Sequence, residues 1–189
     1  IIEEMRRQSQ RMTQLVEDLL ALSRLEAQDA LEDEDVPMAP LLATLRREAL
    51  ALSQDRHEVT VEDAAGVDLR GSARELHSAF SNLVANAVRY TPSGGRITVR
   101  LERHADGGAS LSVSDTGYGI PEAHLARLTE RFYRVSSSRT RETGGTGLGL
   151  AIVKHILNRH RGGLTVESAP GQGAAFTAWL PAAPSDAVT

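Results

Sequence analysis

The chain has 189 residues, of which 41% are hydrophobic and 24% charged, with no cysteine and a formal net charge of −4. These values describe one globular domain of ordinary size with room for an appendage. They exclude a disulfide framework or a thiolate metal site, and give no general pull toward nucleic acid or an anionic membrane. No run approaches the roughly 20 apolar residues that span a bilayer, and no signal peptide opens the chain, so no membrane contact is expected of it.

From Ile1 to about Ala27 there is neither Pro nor Gly, and Ile2, Met5, Met12, Leu15, Val16, Leu19, Leu22 and Leu25 recur at helical spacing. The pattern predicts one long helix (1–27) whose apolar stripe needs partner helices in a bundle, or else the chain's own globular part. It is already running at Ile1, with no initiating methionine and no cap, and reads as part of something longer. Glu26, Asp29, Glu32, Asp33, Glu34 and Asp35 then predict a solvated acidic linker over 28–36.

Pro37 and Pro40 punctuate the start of a second domain, 37–181, whose first helix carries Leu41, Leu42, Leu45, Ala49 and Leu52 on its apolar side. His57 to Glu62 alternates as a strand, and Val67 to Leu69 reads as a short one. Ser72, with Glu75 three residues on, predicts a capping box opening a helix over 73–90 that buries Leu76, Phe80, Leu83, Val84, Ala87 and Val88. Arg96 to Arg103 and Ala109 to Asp115 make a hairpin across Asp106-Gly107-Gly108, and Pro121-Glu122 opens a short helix. The polar stretch from Val135 to Thr146 has little to pack with and predicts a lid. A helix from Leu148 to about His160, strands at Leu164–Glu167 and Ala174–Leu180, and a flexible tail (182–189) complete the chain. Helices and strands in separate runs argue an α+β two-layer sandwich.

Three stretches carry chemistry. Gly144-Gly145-Thr146-Gly147-Leu148-Gly149-Leu150 places four glycines ahead of a helix. Bare backbone followed by free helix N–H groups makes either a phosphate cradle or only a tight turn. It matches neither a P-loop nor a dinucleotide fingerprint. Asn82 and Asn86 share one helix face, although Asn is unfavourable in mid-helix. With Arg89 and Tyr90 they point to Mg²⁺, phosphate and aromatic-ring contacts, Tyr90 being equally readable as a core aromatic. Asp115, followed by Gly117, Gly119 and Ile120, offers an acceptor-only carboxylate that matches the exocyclic amine of adenine and mismatches guanine, or else a plain Asx turn.

The order Asn82-Leu83-Val84-Ala85-Asn86-Ala87-Val88-Arg89-Tyr90-Thr91-Pro92, Asp115-Thr116-Gly117-Tyr118-Gly119-Ile120, Arg131-Phe132-Tyr133-Arg134-Val135 and Gly144 to Leu150 resembles the asparagine, first glycine, phenylalanine and second glycine boxes of bacterial sensor histidine kinases. Arg141-Glu142-Thr143 and Ala151-Ile152-Val153-Lys154-His155 bring it nearest to the phosphate-regulon branch. The resemblance implies the Bergerat ATP-binding fold shared with gyrase and MutL, with ATP and Mg²⁺ as cofactors. It makes Asn86 the Mg²⁺ ligand with Asn82 beside it. Tyr90 would line the adenine site, Arg89 would approach the phosphates where many members have Lys, and Asp115 would read the adenine amine. Gly117, Gly119 and Ile120 would shape the base pocket. Arg134 and the backbone of Gly145, Thr146, Gly147, Leu148 and Gly149 would hold the phosphate end, with Asn82 and Arg134 as the catalytic pair.

Residues 1–27, through Leu15-Val16-Glu17-Asp18-Leu19-Leu20-Ala21-Leu22-Ser23-Arg24, resemble the second helix of the family's dimerisation hairpin. None of His57, His77, His104, His124, His155 or His160 has the context of the family's phosphoacceptor. His155 reads as structural, His57 and His160 as solvated. The resemblance therefore implies a chain that binds ATP or ADP but does not phosphorylate itself. The intact protein would pass phosphate to the receiver domain of a response regulator, dimerise through its hairpin, and sit in the inner membrane with this part in the cytoplasm. A nucleotide-gated clamp of the gyrase or MutL type and a noncatalytic scaffold are the other readings.

Overall fold

The computed structural model describes residues 1–135 and 143–182. Most of the expected lid, at 136–142, and the tail at 183–189 lie outside the described residues.

Helix α1 (Ile2–Ala27) forms as its uninterrupted pattern predicts. Its stripe is divided between two fates. Leu22 and Leu25 join the core of the globular part, while Met5, Met12, Val16, Leu19 and Leu20 stay exposed. The acidic block is not all linker, because Glu34–Val36 forms strand β1, antiparallel to β3 (Leu69–Gly71). Arg70 explains this: its guanidinium binds Asp33 at 2.9 Å and Asp35 at 3.2 Å. That hydrogen bond holds the Asp33 carboxyl below its ordinary range. Val36, the residue after Asp35, turns into the core.

Helix α2 (Met38–Ser53) buries Met38, Leu42, Leu45 and Ala49, whereas Leu52, expected on the same side, is 49% exposed. After β2 (Glu58–Asp63) and β3 comes α3 (Ala73–Tyr90), then β4 (Arg96–Arg103), β5 (Ala109–Asp115) and the short α4 (Glu122–Leu125). Helix α5 (Gly149–Arg159), β6 (Gly163–Ser168) and β7 (Ala174–Leu180) follow.

The main sheet has the order β2-β4-β5-β7-β6; only β2 and β4 run parallel, joined by the crossover through α3. Alternation decides which face is covered. Ile97, Val99 and Leu101 of β4, with Phe176, Ala178 and Leu180 of β7, point to the helices, where α3 packs between α2 and α5. Arg96, Arg100, Glu58, Glu62 and Glu102 form a solvated charge ladder on strands β2 and β4. The result is a helix layer on one side of a mixed sheet, the expected two-layer α+β sandwich.

Two histidines expected to be solvated are buried, because each bridges two elements. His57 Nε2 donates to the Thr91 carbonyl at 2.6 Å while Nδ1 pairs with Ser53 Oγ at 2.9 Å, joining the ends of α2 and α3. His160 Nδ1 donates to the Ile156 carbonyl at 2.8 Å, and Nε2 accepts the Ser72 N–H at 3.1 Å. This second bridge also alters the expected capping box. Ser72 Oγ accepts from Glu75 N as predicted, but Glu75 reaches Arg159 at 2.7 Å instead of folding back to Ser72.

Candidate functional site

A cavity of about 1050 Å³ lies among α3, the turn after β5, the segment ending at Val135 and the glycine stretch that opens α5, with α1, α2 and β7 adding to its wall. It is large enough for a nucleotide. The amphipathic spacing of α3 buries Leu83, Val84, Ala87 and Val88 and thereby turns Asn82, Asn86, Arg89 and Tyr90 toward the opposite side, where all four line the cavity.

Asp115 stands at the last position of β5, on the cavity wall. Its Oδ1 accepts the Gly117 N–H at 2.8 Å and the Ala174 N–H at 3.3 Å, which leaves Oδ2 for a ligand. Burial pushes its carboxyl above the ordinary range, and those two N–H groups work against the rise. The expected Asx turn and the expected binding carboxylate are therefore the same residue. Gly117 does not line the cavity itself; it has no side chain because a Cβ would meet the Tyr90 carbonyl. Gly119, at φ +72°, and Ile120 do line it, and the Ile120 N–H is fixed to Ser168 Oγ at 2.8 Å.

The two asparagines separate in role. Asn82 Nδ2 donates to the Ser78 carbonyl at 2.8 Å, and its Oδ1 lies 2.9 Å from where a Cβ on Gly149 would stand. Asn82 is thus wedged against the start of α5, and Gly149 is what admits it. Asn86 makes no side-chain hydrogen bond with any described residue, so its amide remains available at the cavity wall. Among the described residues no three His, Cys, Asp or Glu side chains cluster as metal ligands. A divalent cation held here would depend on an amide oxygen together with phosphate oxygens, a donor set that suits Mg²⁺.

At the other end Gly145, Thr146, Gly147 and Gly149 line the cavity, as does Arg134. Arg89 Nη1 and Tyr90 Oη approach Gly145 so closely that a Cβ there would lie 3.3 Å from both. Gly147 holds φ +79°, and its carbonyl accepts the Phe132 N–H at 2.9 Å, tying the glycine stretch to the 131–135 segment. Leu148 is fully buried; it anchors the stretch in the core and does not line the cavity. Because α5 starts at Gly149, its unpaired first-turn N–H groups lie at this end, where helix geometry favours an anion.

Sequence reasoning missed several contributors. The Ala174 N–H reaches Asp115 from 59 residues away, across the β5–β7 pairing, and Gly173 at φ +74° leaves room for the Asp115 carbonyl. Only the Pro170 to Gly173 turn signal stood near it. Gln14 and Asp18 of α1 also line the cavity, with Thr146 Oγ1 donating to Asp18 Oδ2 at 2.6 Å. Nothing local in a helical pattern marks Asp18 out from its exposed neighbours.

A carboxylate at one end, an uncommitted amide in the middle and a glycine-lined helix start at the other thus line one cavity of nucleotide size. The chain belongs to the family described as "Histidine kinase-, DNA gyrase B-, and HSP90-like ATPase", whose model matches residues 71–184. It is 53% identical over 178 residues to the phosphate regulon sensor protein PhoR of Pseudomonas aeruginosa, covering 93% of this chain and 40% of that protein. The chain thus spans well under half the length of this relative. Among solved structures it resembles a mycobacterial sensor histidine kinase, MprB, with TM-score 0.67 and 31% identity over 80% of this chain and 97% of that one. Full-length ShkA, solved in complex with AMPPNP, matches with TM-score 0.78 and 28% identity over 92% of this chain and 37% of its own. No helix among the described residues is long and apolar enough to cross a membrane.

Proposed function

We infer that this chain is the ATP-binding catalytic part of a sensor histidine kinase of the phosphate-regulon kind. The observation that carries the reading is the shared cavity: Asp115, Asn86, Gly145, Thr146, Gly147 and Gly149 line one space. Asp115 Oδ2 takes the adenine amine, Gly119 and Ile120 let the base approach the backbone, and Tyr90 lines its edge. Asn86 supplies an amide oxygen to Mg²⁺, with Asn82 beside it holding α3 against α5. When bound, Mg²⁺ neutralises phosphate charge. Arg89, Arg134 and the N–H groups around Gly145, Thr146, Gly147 and Gly149 orient the phosphates and offset charge on the transferred group.

The γ-phosphoryl passes to a histidine outside this sequence and from there to an aspartate on a response-regulator receiver domain. Residues 1–27 belong to the dimerisation hairpin, and 37–181, with β1 added, form the catalytic unit. The intact protein is a homodimer in the inner membrane with this part on the cytoplasmic side. A gyrase- or MutL-type clamp is not favoured, since the relatives that match over more than nine-tenths of the chain are sensor kinases.

Titration calorimetry tests the site. Mg²⁺-dependent ATP binding is expected, and Asn86→Ala weakens it by about tenfold or more, the value of a lost contact to a charged group. Unchanged affinity in that variant rules out the Asn86 assignment. Radiolabel from the γ-position is expected on an added hairpin carrying the acceptor histidine and not on this chain alone.

A further inference from the structure

Asp18 is a carboxylate that the ATP-binding reading does not use, yet it sits in the wall of the same cavity. It is 8% exposed and belongs to α1, outside the catalytic layer. Its Oδ2 accepts the Thr146 hydroxyl at 2.6 Å, and its Oδ1 accepts Gln14 Nε2 at 3.0 Å. The same Thr146 Oγ1 accepts the Leu148 N–H at 3.3 Å, just ahead of the first turn of α5. An internal anion is therefore held one hydroxyl away from the helix start that favours anions.

Other contacts hold α1 in this position. Leu22 and Leu25 are buried, Arg131 pairs with Glu26, and Arg159 donates to the Gln28 carbonyl at 2.6 Å. None of these would reject a nucleotide. Asp18 would, because like charges in a partly desolvated cleft repel with little screening.

We propose that docked α1 acts as a built-in competitor for the phosphate end of the site, with Asp18 standing where anionic charge is wanted. This rests on the ATP-binding reading above and adds its regulation. Nucleotide phosphates and α1 docking oppose one another, and because coupling is reciprocal, MgATP loosens α1 to the extent that α1 weakens MgATP. Occupancy of the nucleotide site is thereby transmitted to α1, the helix assigned above to the dimerisation hairpin.

The test is calorimetry on the whole chain with MgATP and with adenosine, comparing wild type, Asp18→Asn and Glu17→Gln. Asparagine keeps an oxygen for Thr146 and removes the charge, while its Nδ2, in place of the oxygen that accepts from Gln14, donates to the Gln14 amide oxygen once that exposed amide turns over. Glu17→Gln makes the same charge change one residue away on the exposed face. Asp18→Asn is expected to tighten MgATP about fivefold or more while adenosine affinity stays within twofold, and Glu17→Gln to move neither. In parallel, amide exchange over residues 15–27 is expected to quicken when MgATP is added to wild type. Equal MgATP affinity for wild type and Asp18→Asn overturns the competition and leaves the ATP site standing. A parallel change for adenosine also overturns it, since that marks a structural effect. Absence of MgATP binding in all three proteins overturns the ATP-binding reading itself, and the proposal with it.

Discussion

Asp115 shows what burying a single carboxyl costs in stability. Burial raises its carboxyl above the ordinary value of 3.8, so the folded chain holds that proton more tightly than the unfolded one. Stability from this group is then greatest below 3.8 and declines as pH rises through the raised value; at neutral pH the buried charge is a cost. Asp115→Asn removes that cost and keeps an oxygen for the Gly117 and Ala174 N–H groups, but turns an amide N–H₂ toward the adenine amine, donor against donor. The ligand-free variant is expected to melt higher than wild type at pH 7 and to lose the upward shift that MgATP gives wild type. Scanning calorimetry reads both; a lower ligand-free melting temperature contradicts the burial argument. Asp115 and its two glycines were legible because their chemistry is local, whereas Ala174 completes the site through strand pairing that no local pattern encodes.

Elements were legible wherever one periodicity ran unbroken between clear stops. Helix α3 and strands β4, β5 and β7 begin and end where the pattern placed them. The failures at the acidic block and at the two buried histidines share one cause, a polar residue whose partner is distant in sequence. An acidic block reads as linker until Arg70, some 35 residues on, makes part of it a strand. His160 reads as a solvated helix end until Ser72, 88 residues away, supplies a buried donor. That bridge fixes the start of α3 to the end of α5, the two helices that carry Asn82, Asn86 and the glycine stretch. Gly71 belongs to the same device, since a Cβ there would run into the His160 ring. His160→Ala leaves the Ser72 N–H buried without its acceptor and opens a void; about 2 to 4 kcal/mol of stability is expected to be lost. Urea unfolding measures it, and a loss below about 0.5 kcal/mol would show that the helices are held together without this bridge.

At the scale of the molecule, the sheet and the helices packed on it form one body, to which α1 is fastened at one end. The sheet and its helices share a core that includes Phe80, Ile97, Leu111 and Ile156. Helix α1 adds no strand, meets chiefly α5, and contributes Leu22 and Leu25, with half-buried Leu15 and Ala21 beside them and a few polar contacts. An attachment of this size opens with a free energy far below that of global unfolding. Leu22→Ala removes a side chain that is 2% exposed, a change costing about 2 to 5 kcal/mol in a rigid core. Here that cost falls on docking, because α1 can leave without exposing the sheet. Amide exchange over residues 15–27 is therefore expected to quicken about tenfold or more, while the thermal midpoint of the catalytic unit moves by less than about 2 °C. A fall of several degrees, with exchange quickened equally in α1 and in β5, would mean that the helix and the sheet unfold together. In that case nucleotide could not release α1 without loosening its own binding site.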